Sequence, residues 1–409
     1  MTAVPASGML PAVFMRGGTS KALMLHRRDV PGDLAAWEPA FLSAMDSPDP
    51  FGRQLNGMGG GVSSVSKICI VERSRRPDAD IDYTFVQVVV RDGRIDLSGN
   101  CGNMLSAVGP FAVDEGLVEV ADGPVRLRIY NTNTAKRIEA GFEVRDGRTV
   151  YRGDLAIPGV TGTGAPIRLD FVDPGGATTG LLLPTGSVRQ TLDVPGLGPV
   201  EVSLVDAANA CVFVRAADLG LAGTELPAAL DAVPGLLDRL ARIRRAASVA
   251  MGIAPDLDAA ARIVHVPFVG LVAPPLDASS LSGAAIRAGD VDLTARVISN
   301  GVPHQALPLT ATLCLAVAAR IAGSLVHEAA RATGDGALRV GMPSGILTAD
   351  ATVSRDGDGW RAERGAFFRT ARPLMRGAVY YEPRTQVQME RTRAKLSGGE
   401  SHEQATGQR

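Results

Sequence analysis

Two side chains in this sequence are set where they could move protons. Cys101 stands in Ser98-Gly99-Asn100-Cys101-Gly102-Asn103-Met104, where a thiol and a run of backbone amides meet the start of an apolar helix. The first N–H groups of a helix have no internal partner, so they and the dipole behind them favour an anion or a thiolate there. Cys101 is therefore either a reactive group in an anion site or a small buried residue in a tight turn. Asn100 and Asn103 either cap the helix or donate to substrate oxygens. The N–H groups of Gly102 and Asn103 can bond charge that develops on an oxygen. Lys67 follows Ser63-Ser64-Val65-Ser66 and precedes the apolar Ile68-Cys69-Ile70. A lysine at such an edge either snorkels to water or, stripped of solvent, serves as a base. Ser63, Ser64 and Ser66 bind an anion or only make turns. Arg16 opens Arg16-Gly17-Gly18-Thr19, where its fork can clamp a carboxylate or face solvent. His304 lies just before a second apolar helix and either faces a ligand or water.

The elements that must position these groups follow from periodicity. Val86–Leu97 reads as a hairpin about Asp92-Gly93, and Met104–Val118 as a helix that stops near Gly116. A strand, a Gly-rich turn and a helix thus converge on Cys101. Earlier, strands at Ala12–Met15 and Ala22–Leu25 flank the Arg16 turn, and a helix is expected over about Leu34–Met45. The glycine-rich stretch Gly57–Lys67 then enters the strand Ile68–Val71. Between 125 and 185 the pattern is strand and turn: Val125–Asn131, Arg137–Val144, Ile167–Val172 and Leu181–Leu183. Strands Pro199–Asp206 and Ala210–Val214, a helical region Pro227–Met251 broken at Pro234, and a strand Ile263–Val272 follow. The second half then repeats the first, with strand Val291–Ser299, a polar turn Asn300–Gln305 and helix Ala306–Ala322. Two helix N-termini facing one groove would suit a small polycarboxylate. Final strands are expected at about 338–342, 346–354 and 367–381, and a disordered polar tail at 386–409.

Composition narrows the function. A net charge of −1 gives no basic footprint for nucleic acid. The four cysteines form no C-x-x-C pair, and the five histidines show no metal-binding spacing, so neither a zinc site nor a disulfide framework is expected. No Gly-rich turn fits a dinucleotide or P-loop pattern, and no nucleotide cofactor is expected. The absence of a leader and of any long apolar run points to a cytoplasmic protein without a membrane partner.

With these residues assembled, the chain resembles the 2-methylaconitate cis-trans isomerase (PrpF) family, whose fold is that of diaminopimelate epimerase. The resemblance rests on MRGGTSK at 15–21, SPDPFGRQLNGMGG at 47–60, SSVSK at 63–67, SGNCGN at 98–103, AVGPFA at 107–112, LPTG at 183–186, DLGLAGTEL at 218–226, VAPP at 272–275 and PSG at 343–345. It implies an α+β fold of two similar domains, each a curved sheet around a central helix, with the active site in the cleft between them. The domains would span 1–185, completed by a last strand near 374–383, and 186–373. The lysine matching Lys67 is then the proton-transfer base, and Cys101 lies against the substrate. Arg16, Gly17, Gly18, Thr19, Ser63, Ser64, Ser66, Asn100, Gly102, Asn103, His304 and Ser344 become the expected substrate contacts. The implied reaction is a 1,3-allylic proton shift on an aconitate-type tricarboxylate, 2-methylaconitate or aconitate, with no cofactor and no metal; a homodimer is left open. A 4-oxalomesaconate-type tautomerase and a non-catalytic polycarboxylate-binding protein are the alternatives. Epimerase relatives use one cysteine from each half, whereas the second-half turn here offers no thiol. Met342 before Pro343-Ser344-Gly345, where a histidine is usual, and Pro303-His304-Gln305, where Leu-His-His is more common, also depart from the family pattern.

Overall fold

The computed structural model describes residues 8–97, 101–331, 334, 336–357 and 359–382. The chain divides into two compact units, Met1–Ala156 with Val160–Leu169 and Arg369–Arg409, and Ile157–Gly159 with Asp170–Phe368. Its crossing comes ahead of residue 185 because the intervening turns bond into the second unit. There Gly176 N–H donates to Asp206 O at 2.8 Å and Asp206 N–H to Leu182 O at 2.9 Å.

In the first unit, strand Gly8–Gly17 turns back antiparallel onto Ser20–His26 and is flanked on its other side by Ala371–Tyr381, also antiparallel. A connection carrying helix Trp37–Met45 leads to Lys67–Arg73, which lies parallel to Ser20–His26 and pairs antiparallel with Ile81–Val89. A second connection, through the short strand Arg94–Asp96 and helix Gly102–Asp114, leads to Gly123–Asn131, parallel to Ile81–Val89. Strand Lys136–Arg145 closes the series. Side chains alternate between the faces of a strand, and both faces here are covered. Leu23, Leu25, Ile68, Ile70, Val86 and Val88 pack with Trp37, Phe41 and Met45 of the outer helix. The opposite face encloses helix Gly102–Asp114, in which every residue from Met104 to Val113 is buried. A helix without a charged residue before its last position belongs inside a core, not on a surface. The chain leaves it at Gly116, whose φ of +69° suits glycine.

The second unit runs through the same sequence of directions. Gln190–Val194 and Ala210–Arg215 flank Gly198–Asp206, both antiparallel. Phe268–Ala273 lies parallel to Ala210–Arg215, and Leu293–Ser299 pairs antiparallel with it. Leu338–Met342 is parallel to Leu293–Ser299, and Gly345–Asp356 and Gly359–Arg369 complete the order. Helix Leu236–Ala250 packs through Leu240, Ile243 and Ala247 on Val202, Val212, Val214 and Leu271. Helix Leu309–Arg320 is enclosed in the other core with Leu293, Val297, Val340 and Leu347.

Several elements differ from their sequence-based form, among them the strand expected at 367–381, which is split between Gly359–Arg369 and Ala371–Tyr381. Leu181–Leu183 is not a strand, because Thr178 and Thr179 N–H groups turn in to the Asp206 carboxylate at 2.8 and 2.6 Å. The strand expected from Ile263 begins at Phe268, after Pro267, which has no N–H to give a ladder. The helix expected from Ala306 begins at Leu309, since Leu307 precedes Pro308 and is steered out of helical geometry. The break in the 227–251 region falls as expected, with Gly235 at φ +67° between Pro227–Ala232 and Leu236–Ala250. The tail at 386–409 lies outside the described residues.

Candidate active site

Lys67 is the first residue of its strand and is 7 % exposed. It shares a face with Cys69 and Val71, the face turned to the enclosed helix. Its Nζ donates to Gln87 Oε1 on the neighbouring strand, where Gln87 is its direct register partner. The same Nζ stands 5.1 Å from the centre of the Phe85 ring. Lys67 is thus buried against a neutral acceptor and an aromatic face, and among the described residues it makes no ion pair.

The loop that delivers Lys67 is tied internally. Asp49 accepts from the N–H groups of Phe51, Arg53 and Gln54 at 2.6–2.9 Å. Gln54 Oε1 accepts from Gly61 N–H at 3.0 Å and from Ser66 Oγ at 2.5 Å. Ser66 Oγ also reaches Val62 O at 2.9 Å, so this hydroxyl fastens the loop. A Cβ at Gly59 would stand 2.2 Å from Gln54 Oε1, which explains one glycine of the run. Ser63 is exposed and Ser64 half-buried in the single turn of 3-10 helix before Ser66.

Cys101 is the N-cap of the enclosed helix, in extended conformation and half-buried. Its Sγ is 4.0 Å from Ser20 Oγ. Cys69 links the two candidate groups: burial raises its thiol, the neighbouring Cys101 raises it further, and Tyr83 and Lys67 oppose this. Burial likewise holds the Tyr83 phenol protonated. Gly102 and Asn103 are the first helical residues, so their N–H groups have no intrahelical acceptor. Asn100, with Ser98 and Gly99, lies outside the described residues.

The Arg16 turn abuts this helix start. A Cβ on Gly17 would lie 2.7 Å from Asn103 O, and one on Gly18, whose φ is +51°, would lie 2.3 Å from Asn103 Oδ1. Gly17 is required because the two backbones meet, and Gly18 because of its positive φ and the Asn103 side chain against it. Asn103 Nδ2 donates to Thr19 Oγ1 at 3.1 Å, and its Oδ1 accepts from Arg369 Nε at 3.0 Å. Arg16 Nη1 donates to Gly18 O and Thr370 O, both at 2.9 Å. Arg16 is paired across the sheet with Lys21 and Arg372, and burial and the Arg372 charge lower its pKa. Arg369 is brought down to about 10 by burial. Arg369 thus bonds the first turn of the helix directly, and Arg16 bonds the turn that abuts it.

Of the remaining expected residues, both belong to the second unit. His304 Nε2 and Ser299 Oγ are 2.6 Å apart, and the ring lies beside Phe268; burial lowers its pKa. Ser344 follows strand Leu338–Met342, with its Oγ buried and without a hydrogen-bond partner among the described residues. Met342 Sδ accepts from Leu307 N–H at 3.4 Å, so it braces the approach to helix Leu309–Arg320.

Four neighbours escaped the sequence reading. Gln87 looked like the polar alternate of a strand, and Ser20 like a turn residue. Arg369 arrives from 266 positions away. Asn133 bonds the N–H and O of Phe85 and the O of Leu97, pinning the chain just before the Cys101 segment. Only the Asn131–Thr134 run of turn residues hinted at it. Among the described residues no three His, Cys, Asp or Glu side chains gather as a metal site, and no helix is long and apolar enough to cross a membrane.

The sequence matches the family described as PrpF protein over residues 8–382. It is 41% identical over 376 residues to 3-methylitaconate isomerase of Eubacterium barkeri, covering 91% of this chain and 97% of that protein. It is 36% identical over 386 residues to 2-methyl-aconitate isomerase of Shewanella oneidensis, covering 92% and 97%. The crystal structure of methylitaconate-delta-isomerase matches with a TM-score of 0.85 at 40% identity, over 95% of this chain and 97% of that one. The fold is therefore the α+β arrangement of methylitaconate-delta-isomerase.

Proposed function

This chain is an isomerase of the PrpF family, and from that premise we propose that it catalyses a 1,3-allylic proton shift on an aconitate-type unsaturated polycarboxylate. The named relatives act on 3-methylitaconate and 2-methylaconitate, and 2-methylaconitate or aconitate is the substrate class the reading favours. Lys67, in its unprotonated form, takes a proton from the carbon next to a carboxylate. The electron pair left behind spreads over the double bond and that carboxylate as a dienolate. The N–H groups of Gly102 and Asn103 bond the oxygen on which charge grows, in a setting made positive by Arg16 and Arg369. In this reading Thr19, Ser63 and Ser64 supply further donors to the substrate carboxylates. Return of the proton at the other end of the allylic system, from the Lys67 ammonium or the Cys101 thiol, gives the isomer.

The observation that supports this reading is the buried Lys67 amine, held by a neutral acceptor on the face that carries the helix start. The amide oxygen gives the amine a fixed acceptor that brings no charge of its own. Proton NMR in deuterated buffer, against trans-aconitate, 2-methylaconitate, methylitaconate and 4-oxalomesaconate, reports substrate and exchange position together. Lys67→Ala is expected to abolish both turnover and deuterium wash-in, and retained exchange in that variant overturns the mechanism. Cys101→Ser is expected to be milder where lysine performs both transfers. Total loss there assigns the second transfer to the thiol.

A further inference from the structure

Among the described residues Lys67 has one hydrogen-bond acceptor, and that acceptor is itself held from three sides. Gln87 Nε2 donates to Ser63 O at 3.2 Å, to Ser66 O at 3.0 Å and to Val88 O at 3.1 Å. Carbonyls accept only, so the amide nitrogen must face them and Oε1 must face Lys67. Free rotation of the amide would exchange one favourable contact for several oxygen–oxygen repulsions. The side chain is therefore a fixed oxygen aimed at Nζ, from the residue directly across the ladder.

We propose that Gln87 is the positioning residue of the proton-transfer base: it fixes the direction of the Lys67 amine without touching substrate. This rests on the reading of Lys67 as the base. One N–H of the amine is directed to Gln87 Oε1 in either protonation state, and the Phe85 ring bounds another side. The remaining directions serve the substrate. A loose four-carbon chain would spread the amine over several rotamers; a single anchored one keeps its lone pair in line with the C–H bond.

Among the described residues the groups facing Lys67 are few. Its own strand supplies Cys69, and the neighbouring strand supplies Tyr83, Phe85 and Gln87. Strand Ser20–His26 supplies Ala22 as its register partner, the loop supplies Ser66, and the enclosed helix supplies Cys101 through its contact with Cys69. Cys69 and Tyr83 are held protonated by burial, so neither brings a charge at neutral pH.

The test pairs two variants of the full chain on the substrate found in the NMR panel, with circular dichroism and melting as folding controls. Gln87→Met keeps length but removes the acceptor. Exchange and kcat are expected to fall roughly ten- to a hundredfold with KM within about threefold. The acid limb of the pH–rate profile moves to lower pH, because the ammonium loses its acceptor. Gln87→Glu keeps shape and puts a carboxylate on the amine, so the acid limb moves up by about 1–3 pH units, with activity recovered at high pH. A side chain that only fastened the loop would move KM or melting and leave the limb in place. Both limbs at the wild-type position, with Lys67→Ala inactive, overturn the role of Gln87 alone. An active Lys67→Ala overturns the base itself.

Discussion

The contact between the Arg16 turn and the enclosed helix can be tested with one methyl group. Gly17 is the last residue of the first strand and is not at positive φ, so alanine meets no backbone penalty there. Its Cβ would instead stand 2.7 Å from Asn103 O, 3.1 Å from Met104 Cα and 3.2 Å from Ser106 Oγ. The two nearest atoms are helix backbone and cannot rotate away. The turn and the helix start must separate by about 0.7 Å to reach ordinary contact at 3.4 Å. Overpacking of this kind costs about 1–3 kcal/mol. The same displacement moves the amides of Gly102 and Asn103 away from the oxygen they are to stabilise, and a misplacement near 1 Å lowers rate by about a hundredfold. Gly17→Ala is therefore expected to lose 1–3 kcal/mol in urea unfolding and about ten- to a hundredfold in kcat/KM. Gly377→Ala is the control, since nothing lies within 4 Å of its added Cβ. If Gly17→Ala matches Gly377→Ala in both measurements, the turn does not bear on the helix start and the site geometry argued here is wrong.

Asn103→Ala removes one acceptor of the Arg369 guanidinium and the donor to Thr19. It should cost about 1.5–3 kcal/mol in chemical denaturation and raise KM about tenfold; an unchanged KM would separate Asn103 from substrate binding. Stability should also fall as pH drops from 7 to 5. Burial lowers both His26 and His304, and at His26 the Arg28 charge adds to it against Glu115 and Asp29. Both are depressed from 6.5, so the unfolded chain takes up protons first. Their contribution is complete above that value and is lost as pH falls through the folded pKa, at up to about 1.4 kcal/mol per unit for each. Urea midpoints at pH 8, 7, 6 and 5 measure it, and a flat or rising series refutes it. The depressed carboxylates Asp80, Asp122 and Asp292 act only at lower pH.

Local signals carried much of this structure. The enclosed helix announced itself by an uncharged apolar run ending at a glycine, and the hairpin before it by Asp92-Gly93, where Gly93 takes φ +61°. Lys67 and Cys101 were legible because each interrupts an apolar context with a reactive group. What stayed hidden depends on register or on distance along the chain. Gln87 gains its role only when Lys67–Arg73 pairs with Ile81–Val89 so that residues 67 and 87 are opposite, and a shift of one residue would turn it to the other face. Arg369 comes from the far end of the chain, and no periodicity could have brought it to Asn103. Ser66 misled in the other direction: a serine beside a base suggests an anion contact, yet its hydroxyl is used on Gln54 and Val62.

The repeated connectivity sharpens the case for a single base. In both units a strand enters after the outer-helix crossover and pairs in parallel with the second strand of the opening hairpin. Its first residue is Lys67 against Ala22 in the first unit and Phe268 against Cys211 in the second. The enclosed helices begin after Cys101 in one and after Pro308 in the other. Proline offers neither a thiol nor an N–H, and Phe268 packs beside a histidine already bonded to Ser299. The framework that holds a helix inside a curved sheet is thus present twice, since it depends on apolar alternation that both halves keep. The proposed pair of proton-carrying groups, Lys67 and Cys101, occupies those two positions once. A chemistry needing matched acids on two faces has no counterpart residues there, whereas a shift in which one amine removes and returns a proton needs only the first unit's pair.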